Sequence, residues 1–178
     1  MPDLLTHYMA SYLVARALVG PRRALLLAFV GLLPDVDALL LVHRWVTHSV
    51  PVELLASTPL LALTYAYRRG YLGVVVLAVL LYTLHIAMDL LTGLTPIMWP
   101  LAPALALNIG VNGAYGVDGV RVTPGFEVVV EPVDFAKRDL VEGPLVSETG
   151  LVLLVVAIVL TIVGYFANKI RLEFNLVV

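Results

Sequence analysis

Few residues in this chain are able to do chemistry, and their spacing is informative. His85 and Asp89 stand four apart, so on a helix both side chains lie on one face, the geometry two ligands need to share a cation. Asp35 and Asp37, two residues apart, repel one another unless a cation or a proton sits nearby, which favours a metal for at least one of them. His43, Arg44 and His48 follow within a short run, and His7 lies near the start of the chain. Each has a plainer alternative. His85 and Asp89 could satisfy one another inside a helix bundle, and Asp35 and Asp37 could form a solvated helix break, with Asp37 capping the next turn. His7, His43 and His48 suit an interfacial loop, and Arg44 suits either a lipid phosphate or an anionic substrate.

The elements that must position these residues are set by an unusual composition. Of 178 residues, 61% are hydrophobic and 13% charged, with a net charge of −2 and a mean hydropathy of +0.98. Soluble domains carry about 25% charged residues, so this balance argues against a soluble enzyme, a disordered chain and a basic nucleic-acid binder. Lipid is the expected solvent. There is no cysteine, which excludes disulfides, thiolate metal sites and cysteine nucleophiles; any metal must be held by nitrogen and oxygen.

Five apolar runs read as membrane spans: residues 4–19, 24–42, 54–67, 70–88 and 149–168. The first lacks the basic start of a signal peptide, its first charge being Asp3, and is expected to be a helix of the mature protein. Ser49 and Pro51 supply a helix start for the third. Residues 90–107 are apolar but contain Gly93, Pro96, Pro100 and Pro103, which argues for a broken or re-entrant segment. The expected fold is an all-α integral membrane bundle of about five helices with a small extracytoplasmic segment. In that segment, residues 120–122 and 126–130 flank Thr-Pro-Gly and read as a β-hairpin. The corresponding domains are a helical membrane domain at 1–107 carrying the His/Asp site, an acidic extracytoplasmic segment at 108–148, and a final span with cytoplasmic tail at 149–178.

Basic residues orient such a bundle. Arg16, Arg22 and Arg23, then Arg68 and Arg69, then Lys169 and Arg171 all fall on one side of five alternating spans, which marks it cytoplasmic. Residues 108–148 carry three basic residues against seven acidic ones and fall opposite. All four histidines, with Asp35, Asp37 and Asp89, then gather at the extracytoplasmic level of an integral cell-membrane protein. Ionisable groups at membrane depth are costly, so a one-sided cluster of them suggests a site. The motifs of zincins, serine hydrolases and P-loop ATPases are absent, and Ser11, Ser49 and Thr92 are more simply packing or capping residues.

Thr6-His7, the run from Gly31 to Asp37 (Gly-Leu-Leu-Pro-Asp-Val-Asp), His43-Arg44-x-x-Thr47-His48-Ser49, His85-x-x-x-Asp89-x-x-Thr92 and Met98-Trp99-Pro100 together resemble the membrane-bound metal-dependent hydrolases of the YdjM-like family. The matching blocks cover residues 2–101. The sequence departs from the family pattern at Ala38, where the family often has His, and at Trp45, where it often has Gly. That family is thought to be distantly similar to helical zinc-dependent phospholipases C and single-strand nucleases. The resemblance implies a phosphoester hydrolase whose divalent metal, zinc in that comparison and with two or more ions open, is held by His7, Asp37, His48, His85 and Asp89. Asp35 and His43 would be further ligands or their partners. The expected roles are Asp35 as proton acceptor, Arg44 on the phosphoryl oxygens and Asp89 as a bridging ligand, with the bilayer and a lipid or other phosphoester as partners and no nucleic acid. A non-enzymatic protein that binds or transports a metal is the alternative, as is a structural bundle with buried His–Asp pairs.

Overall fold

A computed structural model describes residues 3–117 and 119–175. Helix α1, Leu4–Val19, starts where the Asp3 side chain accepts from the Thr6 amide, and stops at Gly20, whose φ of 81° suits a residue without Cβ. Pro21 then opens α2, Pro21–Leu27. Helical pitch tightens into two 3-10 turns, Ala28–Leu32 and Pro34–Leu40, and a third covers Val46–His48. Ser49 caps α3, Val50–Tyr67, as its sequence signal predicted. A 3-10 turn at Arg69–Tyr71 leads into α4, Leu72–Leu90. Strands β1, Ala104–Gly116, and β2, Gly119–Glu131, pair antiparallel, and α5 runs over Glu148–Asn175.

The all-α, five-span expectation is therefore overturned. The described residues form a mixed α and β structure with a two-stranded sheet, and only Arg69–Leu90 and Glu148–Ala167 are helical stretches long and apolar enough to cross a membrane, with mean hydropathies of 2.2 and 2.7. The physical reasons differ from run to run. The 16 residues of α1 reach only about 24 Å at 1.5 Å per residue, short of a hydrocarbon core of roughly 30 Å. Residues 24–42 are apolar but break at Leu27 and again at Pro34, which cannot donate to a helical ladder. Helix α3 is diluted by Pro51, Glu53, Ser57, Thr58 and Pro59.

The hairpin is also larger than expected and turns elsewhere. Thr123, Pro124 and Gly125 lie inside β2, opposite Asn112, Val111 and Gly110, and the reversal falls between Gly116 and Gly119. Proline is tolerated there because each strand of a two-stranded ribbon is an edge. The apolar stretch after α4 forms turns, and β1 begins within it. An isolated bridge joins Thr95 to Leu105, with N···O distances of 2.7 and 2.9 Å.

Helix α1 sits at the centre, touching α2, α4 and α5. Its Met9, Tyr12 and Ala15 pack with Ala24, Ala28, Leu77, Leu81 and Ala157 into the apolar core. Two polar ties fix it to α5: Arg16 donates to the Leu160 carbonyl across 2.7 Å, and Asp3 accepts from Ser147. These contacts hold His7, on the buried side of α1, against the end of α4.

Candidate metal centre

Two imidazoles and two carboxylates from three places in the chain converge at the C-terminal end of α4. Asp35 comes from the second 3-10 turn, His48 from the third, and His85 and Asp89 from successive turns of α4; one ligand atom from each lies within 4.8 Å of every other. His48 and His85 are 0% exposed and Asp89 is 1%. The Asp35 side chain, at 33%, is the open member of the group.

Each histidine is oriented from behind. His85 Nδ1 lies 2.7 Å from the Gly31 carbonyl, an acceptor only, so Nδ1 carries the proton and Nε2 presents its lone pair to the centre. Gly31 can come so close because it has no side chain: a Cβ there would stand 1.9 Å from Ser11 Oγ. His48 Nδ1 sits 3.0 Å from Asp37 Oδ2, the same arrangement with a carboxylate. The two Nε2 atoms then face one another across 3.2 Å. Two inward lone pairs at that distance, flanked by Asp35 Oδ1 at 3.6 and 3.4 Å and Asp89 Oδ2 at 3.2 and 3.9 Å, call for a positive charge between them. In the same sense, burial opposes an imidazolium at His48, but hydrogen bonds to Asp35, Asp37 and Asp89 outweigh it and push the pKa up to about 10. A nitrogen and oxygen donor set of this kind fits a zinc-like divalent ion.

The remaining predicted residues surround this group at different removes. His7 stacks on His85 with ring centroids 3.7 Å apart, and its Nε2 lies 3.4 Å from Asp89 Oδ1. Its Nδ1 is buried without a hydrogen-bond partner among the described residues. Asp37 reaches the group through His48; its Oδ2 also accepts from the Trp45 amide at 2.6 Å and the Thr47 hydroxyl at 2.9 Å. Arg44 is 5% exposed and donates from Nε to Asp89 Oδ2 at 3.0 Å, and from its other nitrogens to the Leu94 carbonyl and the Thr92 hydroxyl. It holds Asp89 in place at a backbone φ of 50°. His43 stands outside the group, half-buried on the wall of a cavity of about 360 Å³ that it shares with Arg44, Thr92, Glu131, Asp134 and Arg138. Burial and the neighbouring Arg44 push the His43 pKa down.

Sequence reasoning missed the groups that orient the converging side chains: the Gly31 carbonyl, the Thr47 hydroxyl and the Trp45 amide. Gly31 and Thr47 lie within the motif blocks, but nothing in their spacing marks them as hydrogen-bond partners.

A family model described as YdjM inner membrane protein matches residues 1–171. The chain belongs to the YdjM family. Membership in a YdjM family of inner membrane proteins agrees with the two apolar spans, and the match extends past the motif blocks through the ribbon and most of α5. No curated protein and no solved structure matches the chain.

Proposed function

We propose that this member of the YdjM family is a metal-dependent hydrolase that cleaves a phosphoester of a lipid or lipid-linked substrate at the membrane face. The observation that carries this reading is the convergence of His48 Nε2, His85 Nε2, Asp35 and Asp89 on one point, with both imidazoles fixed from behind. A divalent ion held by these residues would lower the pKa of water toward about 7 and would draw charge from a phosphoryl oxygen. The protein's own groups do the rest. Asp35, the most accessible carboxylate of the group, takes the proton from water as its oxygen bonds to phosphorus and the ester P–O bond breaks; the alcohol leaves with a proton from solvent. Arg44 keeps Asp89 aimed, and the cavity beside it, with His43 and Arg138 on its wall, suits the anionic part of a substrate.

The two-span arrangement still supports an extracytoplasmic site. Arg68 and Arg69 precede α4 and Lys169 and Arg171 close the chain's last helix, whereas the ligands gather at the other end of α4. Metal analysis of the purified protein, followed by a screen of phosphodiesters and phospholipids, tests the proposal. Stoichiometric zinc or a similar metal and hydrolysis that both disappear in His85→Ala are expected. Absence of a bound transition metal in the wild type sinks it, and uptake of metal into vesicles that depends on His85 without any hydrolysis would favour a transporter.

A further inference from the structure

The β1–β2 ribbon has two chemically distinct faces. In an antiparallel pair, residues directly opposite one another share a face, and the face alternates with each step. Ile109 pairs with Phe126, Val111 with Pro124, Gly113 with Val122 and Tyr115 with Val120, which makes one face wholly apolar. Asn108 pairs with Glu127, Asn112 with Thr123 and Ala114 with Arg121 on the other face, where Asn108 donates to Glu127 across 3.3 Å. Glu131, opposite Ala104, shares that second face, so every charge of the described ribbon lies there.

Beyond its base, the apolar face has no protein cover among the described residues. Ile109, Val111, Tyr115, Val120, Val122 and Phe126 are between 62 and 89% exposed. At the ribbon's base it is the small, polar face that packs inward, through buried Ala104 and Ala106. A two-stranded ribbon is marginal in water by itself, and an apolar stripe running along strands of 13 residues, roughly 40 Å, is more than a lone soluble surface usually shows.

The chain is tied down on both sides of the ribbon's base. Its base is bridged to the segment leaving α4 through Thr95 and Leu105, and the chain after it is pinned by the Arg138 amide on the Leu41 carbonyl and by Ser147 on Asp3 before entering α5. The ribbon thus follows the end of one apolar span and precedes the start of the other, with its base bridged to the segment that leaves α4. We propose that the apolar face of this ribbon lies flat in the bilayer interface, with the Asn108, Arg121 and Glu127 face turned to water. Free strand edges cannot enter the hydrocarbon centre, but at the headgroup level water satisfies their N–H and C=O groups. With no cation on the buried face, apolar contact drives the docking, and zwitterionic lipid suffices. The inference stands whether or not the metal centre is hydrolytic.

The absence of native cysteine makes the test direct. Single cysteines at Ile109, Val111 and Val122 on one face, and at Asn108, Asn112 and Thr123 on the other, are labelled with an environment-sensitive fluorophore. The full chain is reconstituted in phosphatidylcholine nanodiscs with brominated acyl chains. Blue-shifted emission quenched by the brominated lipid is expected at the first three sites, and water-like, unquenched emission at the other three. Adding Val111→Glu to the Val122→Cys chain should abolish its quenching, while a label at Val155→Cys in α5 stays quenched and so reports intact insertion. Water-like emission on both faces overturns the proposal. So does blue-shifted emission without bromine quenching accompanied by disulfides between copies at Ile109→Cys, which would place a second chain on that face.

Discussion

His85 on α4 hydrogen-bonds through Nδ1 to the carbonyl of Gly31, 2.7 Å away in the first 3-10 turn. The bond makes the break in the second apolar run part of the site, because it brings a backbone acceptor to the back of a ligand. It also depends on Gly31 having no side chain, since a Cβ would meet Ser11 Oγ at 1.9 Å and Ser11 Cβ at 2.8 Å. Gly31→Ala is therefore expected to destabilise the protein by about 1–3 kcal/mol through overpacking and to weaken metal binding as the carbonyl moves. Ser11→Gly in the same chain should restore most of both, as read by thermal unfolding in detergent and by metal content. No rescue would mean that the close approach is not what holds His85.

Histidines in this chain should divide sharply in their effect on metal content. His48→Ala and His85→Ala each remove a buried nitrogen from the converging group, whereas His43 faces the neighbouring cavity. Elemental analysis of the purified variants is expected to show metal lost from the first two and kept in His43→Ala. Equal loss in all three would place the ion elsewhere.

The residues that converge were conspicuous in the sequence because polar residues stand out in an apolar chain: His85 and Asp89 announce a shared helix face by spacing alone. Two of the expected spans, residues 70–88 and 149–168, coincide with the two long apolar helices, but the other three do not, because counting apolar residues does not distinguish a side chain turned to lipid from one packed on a neighbouring helix. Ala24 and Ala28 are 0% exposed against α1, within a run that looked like a crossing helix. That run breaks at Leu27, which no sequence signal marked, and again at Pro34. The ribbon was seen only in part, as a short hairpin over residues 120–130, because Gly and Ala intervene among its apolar residues and blur strand alternation, while Thr123-Pro124-Gly125 imitates a turn that falls elsewhere.

Asp37 separates orientation from ligation. Its Oδ2 accepts from Trp45, Thr47 and His48 Nδ1, so Asp37→Ala removes the group that keeps His48 Nε2 pointed inward. Such outer partners are worth roughly 10–100-fold in metal affinity. Asp37→Ala should weaken metal binding by that factor in a chelator competition without abolishing it, and Asp37→Asn, which keeps an acceptor for the Trp45 amide, should fall between it and wild type. Complete loss of metal in both would make Asp37 a ligand in its own right.

Asp3 sets the expected acid sensitivity of the junction between α1 and α5. Burial alone would raise its pKa, but hydrogen bonds from Ser147, the Thr6 hydroxyl and the Thr6 amide outweigh burial and lower it from 3.8 to about 2. A carboxylate with a lowered folded-state pKa stabilises the fold above its unfolded pKa, and that contribution fades as pH falls through the folded value. The shift corresponds to about 2 kcal/mol, fully present above roughly pH 5 and lost between there and pH 2. Asp3→Asn should lower the melting temperature at neutral pH and flatten its dependence on pH in that window, whereas Ser147→Ala should produce a smaller version of both changes. An unchanged acid profile in Asp3→Asn would show that other carboxylates govern the transition.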